Sequence, residues 1–169
     1  MKIRATTTRD VEQICAIYAR EVEIGSASFE LKPPDQDEMR GRIQDVQDHG
    51  YGHFVAIEGD VVLGYAYTSS YRSRPGYRFS VEDSIYVLPQ ARQKGIASAL
   101  LKTLIDDCEP KPFYQMVAVI GDSVNHASIN LHRKMGFKDA GALRNIGFKH
   151  GRWIDTLFLQ LQLKVGLPK

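Results

Sequence analysis

The feature that most constrains the fold is a change of hydrophobic period in the middle of the chain. Phe54–Glu58 and Val61–Ser70 are rich in β-branched and aromatic residues and flank Gly59-Asp60, which predicts a β-hairpin. Arg78–Val87 has the same character and predicts another strand. Gly95–Cys108 instead repeats its apolar residues about every 3.6 positions, which predicts a helix with one buried face. These segments together predict helices packed on a sheet.

The rest of the chain continues this pattern without a linker or an internal repeat, so we expect a single domain over residues 1–169. Tyr114–Ile120 is almost fully apolar, which predicts a strand buried on both faces. Asp35 and Glu38 have the spacing of a helix cap. The other predicted elements are strands at Ile3–Thr6 and near 137–148 and 153–161, and helices at Asp10–Glu23, from Asp35 to Gly50 and at Ala127–Met135. Their order predicts an α/β (α+β) fold, a mixed central sheet with helices on both faces.

Composition excludes several classes of protein. The 22 Lys and Arg against 20 Asp and Glu leave a formal charge of +2, too weak to indicate a nucleic acid or an acidic membrane as partner. The longest stretch without a charged residue, Val61–Tyr71, is shorter than the about 20 apolar residues that span a bilayer. Cys15 and Cys108 lie far apart, and no H-E-x-x-H pair occurs, so we expect no metal site. Without a signal peptide after Met1, we expect a cytoplasmic protein.

Polar and basic residues join the strand that ends at Val87 to the helix that opens near Gly95. The first turn of a helix has unpaired N–H groups and a partial positive charge, so it can hold a phosphate. Gly95 and Ala97 carry little or no side chain, and Arg92 and Lys94 add positive charge. Neither G-x-x-x-x-G-K-[ST] nor G-x-G-x-x-G occurs here, and the alternative is a plain strand–loop–helix connection with surface charges.

Two motifs together resemble a known superfamily. Arg-x-x-Gly-x-Ala at 92–97 resembles the acyl-CoA loop of the GNAT superfamily of N-acetyltransferases. Asn125–Phe137, the run NHASINLHRKMGF, resembles the second signature of that superfamily and follows in the same order, with an apolar strand between the two. The resemblance implies an enzyme that uses acetyl-CoA as co-substrate. It also implies a mostly antiparallel central sheet that is splayed between the fourth and fifth strands.

A narrower resemblance, to the phosphinothricin/methionine sulfoximine N-acetyltransferase branch, rests on five further segments. They are Tyr71-Arg72, Gly76–Arg78, Ser80–Val87, Ala118–Ile120 and Gly147–Asp155. The branch implies a homodimer that transfers acetyl to the α-amine of a small amino acid or analogue, such as phosphinothricin, methionine sulfoximine or methionine sulfone. Two other functions stay open, a non-catalytic acyl-CoA-binding or sensing domain and an acetyltransferase for a protein or polyamine amine.

The resemblance also assigns residues to acetyl-CoA. The backbone of Ile85, Tyr86 and Val87 is expected to bind the pantetheine arm as an added strand. Asn125 is expected to bind the same arm, with helix capping as the alternative. Lys134 is expected near the phosphates, with a solvated surface lysine as the alternative. The diphosphate is expected on the loop residues Arg92, Gln93, Lys94, Gly95, Ile96 and Ala97.

Acetyl transfer to an amine needs a group that accepts the amine proton. Glu82 is the candidate, because it lies on the strand that leads into the cofactor loop, although its ordinary pKa of about 4.3 is low for a base. It can act directly or through water, and a structural salt bridge to a nearby arginine is the alternative. His132 stands where many members of the superfamily have a tyrosine that protonates the leaving thiolate. An imidazolium can do the same, and a packing role is the alternative.

An acceptor that carries a carboxylate favours guanidinium groups in its pocket. Arg72, Arg74 and Arg78 cluster between two strands beside Tyr71 and Tyr77, Ser73 is a further candidate, and Arg72 is the first choice. Such a basic pocket favours an anionic acceptor over a polyamine. Two aromatic residues from distant segments, Phe29 and Trp153, complete the predicted acceptor site. A subunit interface is the alternative role for Trp153.

Overall fold

The computed structural model describes residues 1–164. The predicted domain of 1–169 extends into residues 165–169, which lie outside that range. No helix within residues 1–164 is long and apolar enough to cross a bilayer. The elements, in chain order, are β1 (Lys2–Ala5), α1 (Val11–Ile24), α2 (Gln36–Asp48), β2 (His53–Glu58), β3 (Val61–Ser70), β4 (Ser80–Val87), α3 (Ile96–Cys108), β5 (Gln115–Gly121), α4 (His126–Lys134), β6 (Lys138–Lys149) and β7 (Arg152–Gln162).

The strands form one sheet in the order β1-β2-β3-β4-β5-β7-β6. Neighbouring strands are antiparallel except β4 and β5, which are parallel. These two strands pair only as far as Asp83 and Ala118, whereas β4 runs on to Val87 and β5 to Gly121. They therefore diverge toward their carboxyl ends, and the predicted mixed sheet, splayed between its fourth and fifth strands, is confirmed.

Helices cover the two faces of this sheet unequally. α1 and α2 pack on one face of β2, β3 and β4, and α3 packs on the opposite face of the same strands. The core accordingly has two clusters, one around Val55 and Tyr65 under α1, the other around Leu100 and Met116 under α3. On the α1 side, β5 and β7 lack such extensive helix packing within residues 1–164, and Phe158 there is only half-buried. One face of the sheet is thus left partly open beside β4.

The open face explains why one prediction about β5 was wrong. Met116, Ala118 and Ile120 are buried toward α3, but Val117 and Val119 on the other face are half-buried. An apolar strand predicts burial on both faces only when both faces are covered. Within residues 1–164, no helix packs closely on this second face of β5, so the side chains of Val117 and Val119 stay partly exposed.

Local signals placed the remaining elements correctly. Asp35 caps α2, since its carboxylate accepts a hydrogen bond of 2.9 Å from the N–H of Glu38. The predicted hairpin of β2 and β3 turns at Gly59, which has a φ of +58°. The predicted helix that follows the basic loop begins at Ile96 and buries Leu104.

Candidate active site

The loop between β4 and α3 is exposed and ends in a backbone conformation that favours glycine. Arg92, Gln93 and Lys94 are exposed, and Gly95 precedes the first turn of α3 with a φ of +78°. A Cβ at Gly95 would meet no atom within 4 Å, so the backbone angle, and not a lack of space, selects glycine. The first N–H groups of α3, from Ile96 onward, lie at the helix end that attracts anions. The residues of this loop fit a diphosphate.

Arg92 links the loop to the neighbouring elements. Its Nε donates a hydrogen bond of 3.4 Å to the carbonyl of Val87, and its Nη2 lies 3.7 Å from Oε2 of Glu21 in α1. The guanidinium is more than half exposed. An anion bound in the loop would therefore compete with Glu21 for Arg92 without disturbing the core.

Beside the loop, the divergence of β4 and β5 leaves backbone groups at the edge of β4. Ile85, Tyr86 and Val87 pair with β3 on one side but lie beyond the last pair that β4 makes with β5. Such an edge can pair with an extended ligand. The three residues predicted to hold the pantetheine arm therefore lie where an arm can reach them.

Glu82 lies on the open face of the sheet, opposite to α3. It pairs with Val117 of β5, and paired residues of neighbouring strands point to the same face. Burial raises the pKa of Glu82 to about 7, against the opposing charge of Arg72. The Arg72 guanidinium stands 3.9 Å from the Glu82 carboxylate and 4.3 Å from the centre of the Tyr71 ring. At neutral pH this carboxyl group can therefore both accept and release a proton.

A hollow of about 280 Å³ opens on the same face, and one of its lining residues is Val117, the partner of Glu82 in β5. Tyr71 and Tyr77 form an aromatic wall, with their rings packed edge to face at 5.7 Å. Sequence reasoning missed the rest of the lining, because those residues meet only through the pairing of β4, β5 and β7. They are Ser80, Gln115, Val117, Ala140, Phe158 and Gln160.

His132 lies on the other face of β4, in a buried ion pair. Its Nε2 donates a hydrogen bond of 2.9 Å to Asp83, and its Nδ1 donates one of 2.8 Å to the carbonyl of Ser128. The Ser128 carbonyl accepts only, and so does an ionised Asp83, and beside that carboxylate both ring nitrogens carry a hydrogen. Burial lowers the pKa of His132, but the hydrogen bond and charge of Asp83 outweigh burial and raise the pKa above its ordinary value. The His132 and Asp83 side chains are only 5% and 2% exposed, so this is a buried imidazolium–carboxylate pair.

The sequence pattern of the acetyltransferase (GNAT) family matches residues 12–137. The chain belongs to this family. It is 48% identical over 164 residues to a phosphinothricin N-acetyltransferase of Alcaligenes faecalis, covering 97% of this chain and 83% of the relative. It is 38% identical over 163 residues to an L-methionine sulfoximine/L-methionine sulfone acetyltransferase of Salmonella typhimurium, covering 96% and 95%.

Solved structures of GNAT proteins agree with this fold over the whole chain. A phosphinothricin acetyltransferase from Sinorhizobium meliloti, in complex with acetyl-CoA, has a TM-score of 0.95 at 42% identity and covers 99% of this chain and 92% of its own. The putative acetyltransferase yncA from Salmonella typhimurium, with its cofactor acetyl-CoA, has a TM-score of 0.97 at 37% identity and covers 100% and 97%. The predicted family, enzyme class and fold are confirmed, and the two complexes agree with the predicted co-substrate.

The other GNAT motif, at the start of α4, combines two roles. Asn125 caps the helix, because its side-chain oxygen accepts a hydrogen bond of 3.2 Å from the N–H of Ser128. The capping alternative is therefore present, and the NH₂ group of the same side chain is the part that can reach a ligand. Lys134 is exposed in the last turn of α4, and its predicted contact with phosphates stays a prediction.

The predicted arginine cluster is only partly assembled. Arg72 lies beside Glu82, whereas Ser73 and Arg74 are exposed in the connection to β4. β4 begins at Ser80 and not at Arg78, because Pro75–Tyr77 form a 3₁₀ turn that Arg78 ends, with its N–H bonded to the Pro75 carbonyl. The Arg78 guanidinium stacks on the Phe79 ring at 4.2 Å.

The two distant aromatic residues of the predicted acceptor site lie in different surroundings. Phe29 follows α1 and packs closely over Gly121 of β5 and Gly147 of β6. Trp153 lies near the turn between β6 and β7, is 60% exposed and packs edge to face on Phe148. Phe29 therefore lies at the splayed end of β5, whereas Trp153 has the exposure of a surface or interface residue.

Proposed function

We propose that this enzyme transfers acetyl from acetyl-CoA to the α-amine of a small amino acid or analogue of the phosphinothricin or methionine sulfoximine/sulfone type. The observation that carries the proposal is the Glu82 carboxyl, with a pKa of about 7, which lies 3.9 Å from the Arg72 guanidinium and on the same face of the sheet as the hollow. A base for the ammonium and a guanidinium for the carboxylate are the two groups that an amino acid requires. The named substrates of the two relatives support the same acceptor class.

Acetyl-CoA supplies the acetyl group as an activated thioester. The loop from Arg92 to Ala97 and the N-terminus of α3 would hold its diphosphate, and the free edge of β4 at Ile85–Val87 would hold its pantetheine arm. The NH₂ group of Asn125 and the ammonium of Lys134 are further candidates for contacts with the arm and the phosphates. Each of these residues binds or orients, and none takes part in proton transfer.

Glu82 accepts the proton that the amine must lose before it can attack. A free amino acid is mostly ammonium at pH 7, and a carboxylate with a pKa of about 7 accepts its proton far more readily than an ordinary glutamate. The step is direct or passes through one water. Arg72 neutralises the carboxylate of the acceptor and orients its amine toward Glu82, and Ser73 and Arg74, exposed in the connection to β4, are further candidates for contacts with the acceptor.

His132 is the candidate that returns a proton to the leaving thiolate. Asp83 and the Ser128 carbonyl raise its pKa above the ordinary value and so favour the protonated imidazole that can give a proton. Both of its N–H groups already donate, so proton transfer requires one of these two hydrogen bonds to open. The alternative is that the pair only joins α4 to β4.

A thiol-release assay tests the proposal. Purified enzyme is mixed with acetyl-CoA and, in separate reactions, phosphinothricin, methionine sulfoximine, methionine sulfone, methionine and spermidine, and free CoA is measured. We expect release with the amino-acid analogues and little with spermidine. Binding of acetyl-CoA without release in any reaction would instead establish a sensor, and preference for spermidine would establish a polyamine enzyme.

We also propose that the enzyme is a homodimer in the cytoplasm and that the β6–β7 hairpin contributes to the interface. Large apolar side chains are concentrated on that hairpin, each 48% to 60% exposed, and they are Leu143, Ile146, Phe148 and Trp153. A monomer rarely exposes so many together. Sedimentation equilibrium should give a dimer for the wild type and a weaker dimer for Phe148→Ser. Val61→Ser, at another exposed apolar residue, should leave association unchanged; equal effects of both changes would place the interface elsewhere.

A further inference from the structure

A buried lysine outside the motifs ties together two distant parts of the chain. Lys149, at the end of β6, is only 3% exposed. Its Nζ donates a hydrogen bond of 2.6 Å to the carbonyl of Ser28 and one of 3.3 Å to the carbonyl of Glu21. Burying an ammonium is unfavourable unless hydrogen-bond acceptors compensate for the lost water. These two backbone acceptors fix the end of α1 and the segment after it to the β6–β7 hairpin.

The segment from Gly25 to Phe29, which we call the α1 loop, is packed closely on the sheet. A Cβ at Gly121 would lie 2.3 Å from the carbonyl oxygen of Ser26, and one at Gly147 would lie 2.0 Å from the Phe29 ring. A real Cβ atom does not lie so close to another heavy atom, so only glycine fits beneath the loop at these two positions. This observation is independent of the hydrogen bonds of Lys149 and indicates a single seat for the Phe29 ring.

That seat is at the splayed end of the sheet, on the face of Glu82. Gly121 lies beyond Ala118, the last residue of β5 that pairs with β4. Side chains alternate along a strand, so Gly121 shares a face with Val117, which pairs with Glu82. Phe29 therefore lies along β5 from the hollow, at the end where the strands are apart.

Other contacts also hold the α1 loop, and one of them, in which Ser28 Oγ lies 2.9 Å from the Tyr18 hydroxyl, is buried but ties the loop to α1 and not to the hairpin. His150 Nε2 lies 3.1 Å from the carbonyl of Gly25 at an exposed position, and the N–H of Ala27 donates a hydrogen bond of 3.0 Å to Glu21. Among residues 1–164, the contact of Lys149 with the Ser28 carbonyl is the only one between the loop and the hairpin that is both charged and buried. Its loss would free the loop from β6 without touching Glu82 or the basic loop at 92–97.

We propose that Lys149 is a positioning residue for the acceptor. It fixes the α1 loop on the β6–β7 hairpin and so holds the Phe29 ring over the end of the cleft that receives the amino acid. The inference rests on the proposed function, because it assigns a role in binding that acceptor. Lys149 contacts neither substrate; it acts through Phe29.

The test compares Lys149→Met with Lys102→Met, a lysine change at an exposed position of α3. For Lys149→Met we expect the acceptor KM to rise about tenfold or more, with the Kd for acetyl-CoA, measured by calorimetry without acceptor, within about twofold of the wild type. A general loss of structure would change both constants, so the split between them is the diagnostic result. Lys102→Met should leave both unchanged.

A second measurement does not depend on turnover. Amide hydrogen exchange at residues 25–29 should be at least about tenfold faster in Lys149→Met and unchanged in Lys102→Met. If Lys149→Met does not fold, Lys149→Gln, which keeps one donor, serves in both experiments. Unchanged acceptor KM or unchanged exchange in a folded variant overturns the inference. Absence of turnover in the wild type defeats the proposed function itself, and the exchange result then still decides whether Lys149 anchors the loop.

Discussion

Two neighbouring carboxylates of β4 face opposite sides of the sheet and have opposite surroundings. Glu82 points to the open face, beside a hollow and one partly exposed arginine, and its pKa is raised to about 7 by burial. Asp83 points to the face under the helices and is paired with the His132 imidazolium in a place that water hardly reaches. One of its two oxygens has no hydrogen-bond partner among the described residues.

The comparison shows that the burial of a carboxylate by neighbouring elements, and not its residue type, decides whether it forms a fixed ion pair or exchanges a proton. On the helix-covered face, a charge is tolerated only with a counter-charge, and the pair then resists exchange. On the open face, partial burial with a distant counter-charge leaves the carboxyl group poised between its two protonation states. We therefore assign reactivity to Glu82 and mainly stability to Asp83, and the following predictions test that division.

The largest effect is expected for Glu82→Gln. The amide cannot accept a proton, so kcat should fall by about 10²–10⁴-fold, the range of general base catalysis. The Kd for acetyl-CoA should stay unchanged, because Glu82 is not part of the basic loop. Stopped-flow or thiol-release kinetics and calorimetry measure the two quantities.

The matched control is Glu58→Gln, at an exposed carboxylate of β2, which should have wild-type kcat. Unfolding of the Glu82→Gln variant would not explain a loss of its kcat. The pKa of Glu82 in the folded protein lies above the ordinary value, so ionisation of this buried carboxyl lowers the stability of the wild type as pH rises through about 7. The Glu82→Gln variant has no such charge and should be the more stable protein above that pH. Wild-type kcat in Glu82→Gln would remove this residue from the mechanism.

Asp83→Asn should chiefly destabilise the protein. Removing one partner of a buried ion pair costs about 3–5 kcal/mol, because the other partner is left buried without its counter-charge. The folded pKa of His132 is raised, so this stabilisation is fully present below about pH 6.5 and is lost as pH rises through the folded pKa. Urea unfolding across this range measures it.

The matching double variant, Asp83→Asn with His132→Gln, removes both charges and should recover part of the stability. If Asp83→Asn instead unfolds like the wild type but loses turnover as severely as Glu82→Gln, the division between the two faces is wrong. The imidazolium would then be needed in the reaction itself.

The smallest effect is the pH dependence of the wild type. Glu82 accepts a proton only when ionised, so kcat/KM should fall about tenfold for each pH unit below its pKa of about 7. This inflection should be absent from the residual activity of Glu82→Gln. A wild-type profile without an inflection near neutral pH would show that the carboxyl group is not poised as described.

Much of the fold could be predicted because its signals are local. The 3.6-residue period placed α3, the Asp35 cap placed the start of α2, and the turn at Gly59 placed the β2–β3 hairpin. The burial of β5 on both faces was predicted wrongly, because the cover over Val117 and Val119 depends on elements that are distant in sequence. Arg78 was placed in a strand because nothing in its own side chain reveals that a 3₁₀ turn reaches it.

The candidate site divides in the same way. The basic loop is continuous in sequence, so its basic residues and its glycine were recognised together, and the structure added that Gly95 is left-handed. The ion pair of Asp83 with His132 joins residues from different halves of the chain, and the motif that singled out His132 gave no sign of its partner Asp83. Lys149 was not singled out, since a lysine is normally exposed and its carbonyl partners leave no mark in the sequence.

The amino-acid sequence by itself determined the order of strands and helices, the glycine turn before α3 and the family, because periodicity, turn preference and short motifs depend on residues that are near each other along the chain. Only the tertiary structure decided which face of β4 stays open, what surrounds Glu82 and where the Phe29 ring rests. Proton affinity and ligand fit depend on what covers a group in space, and that cover comes from segments that no local pattern connects.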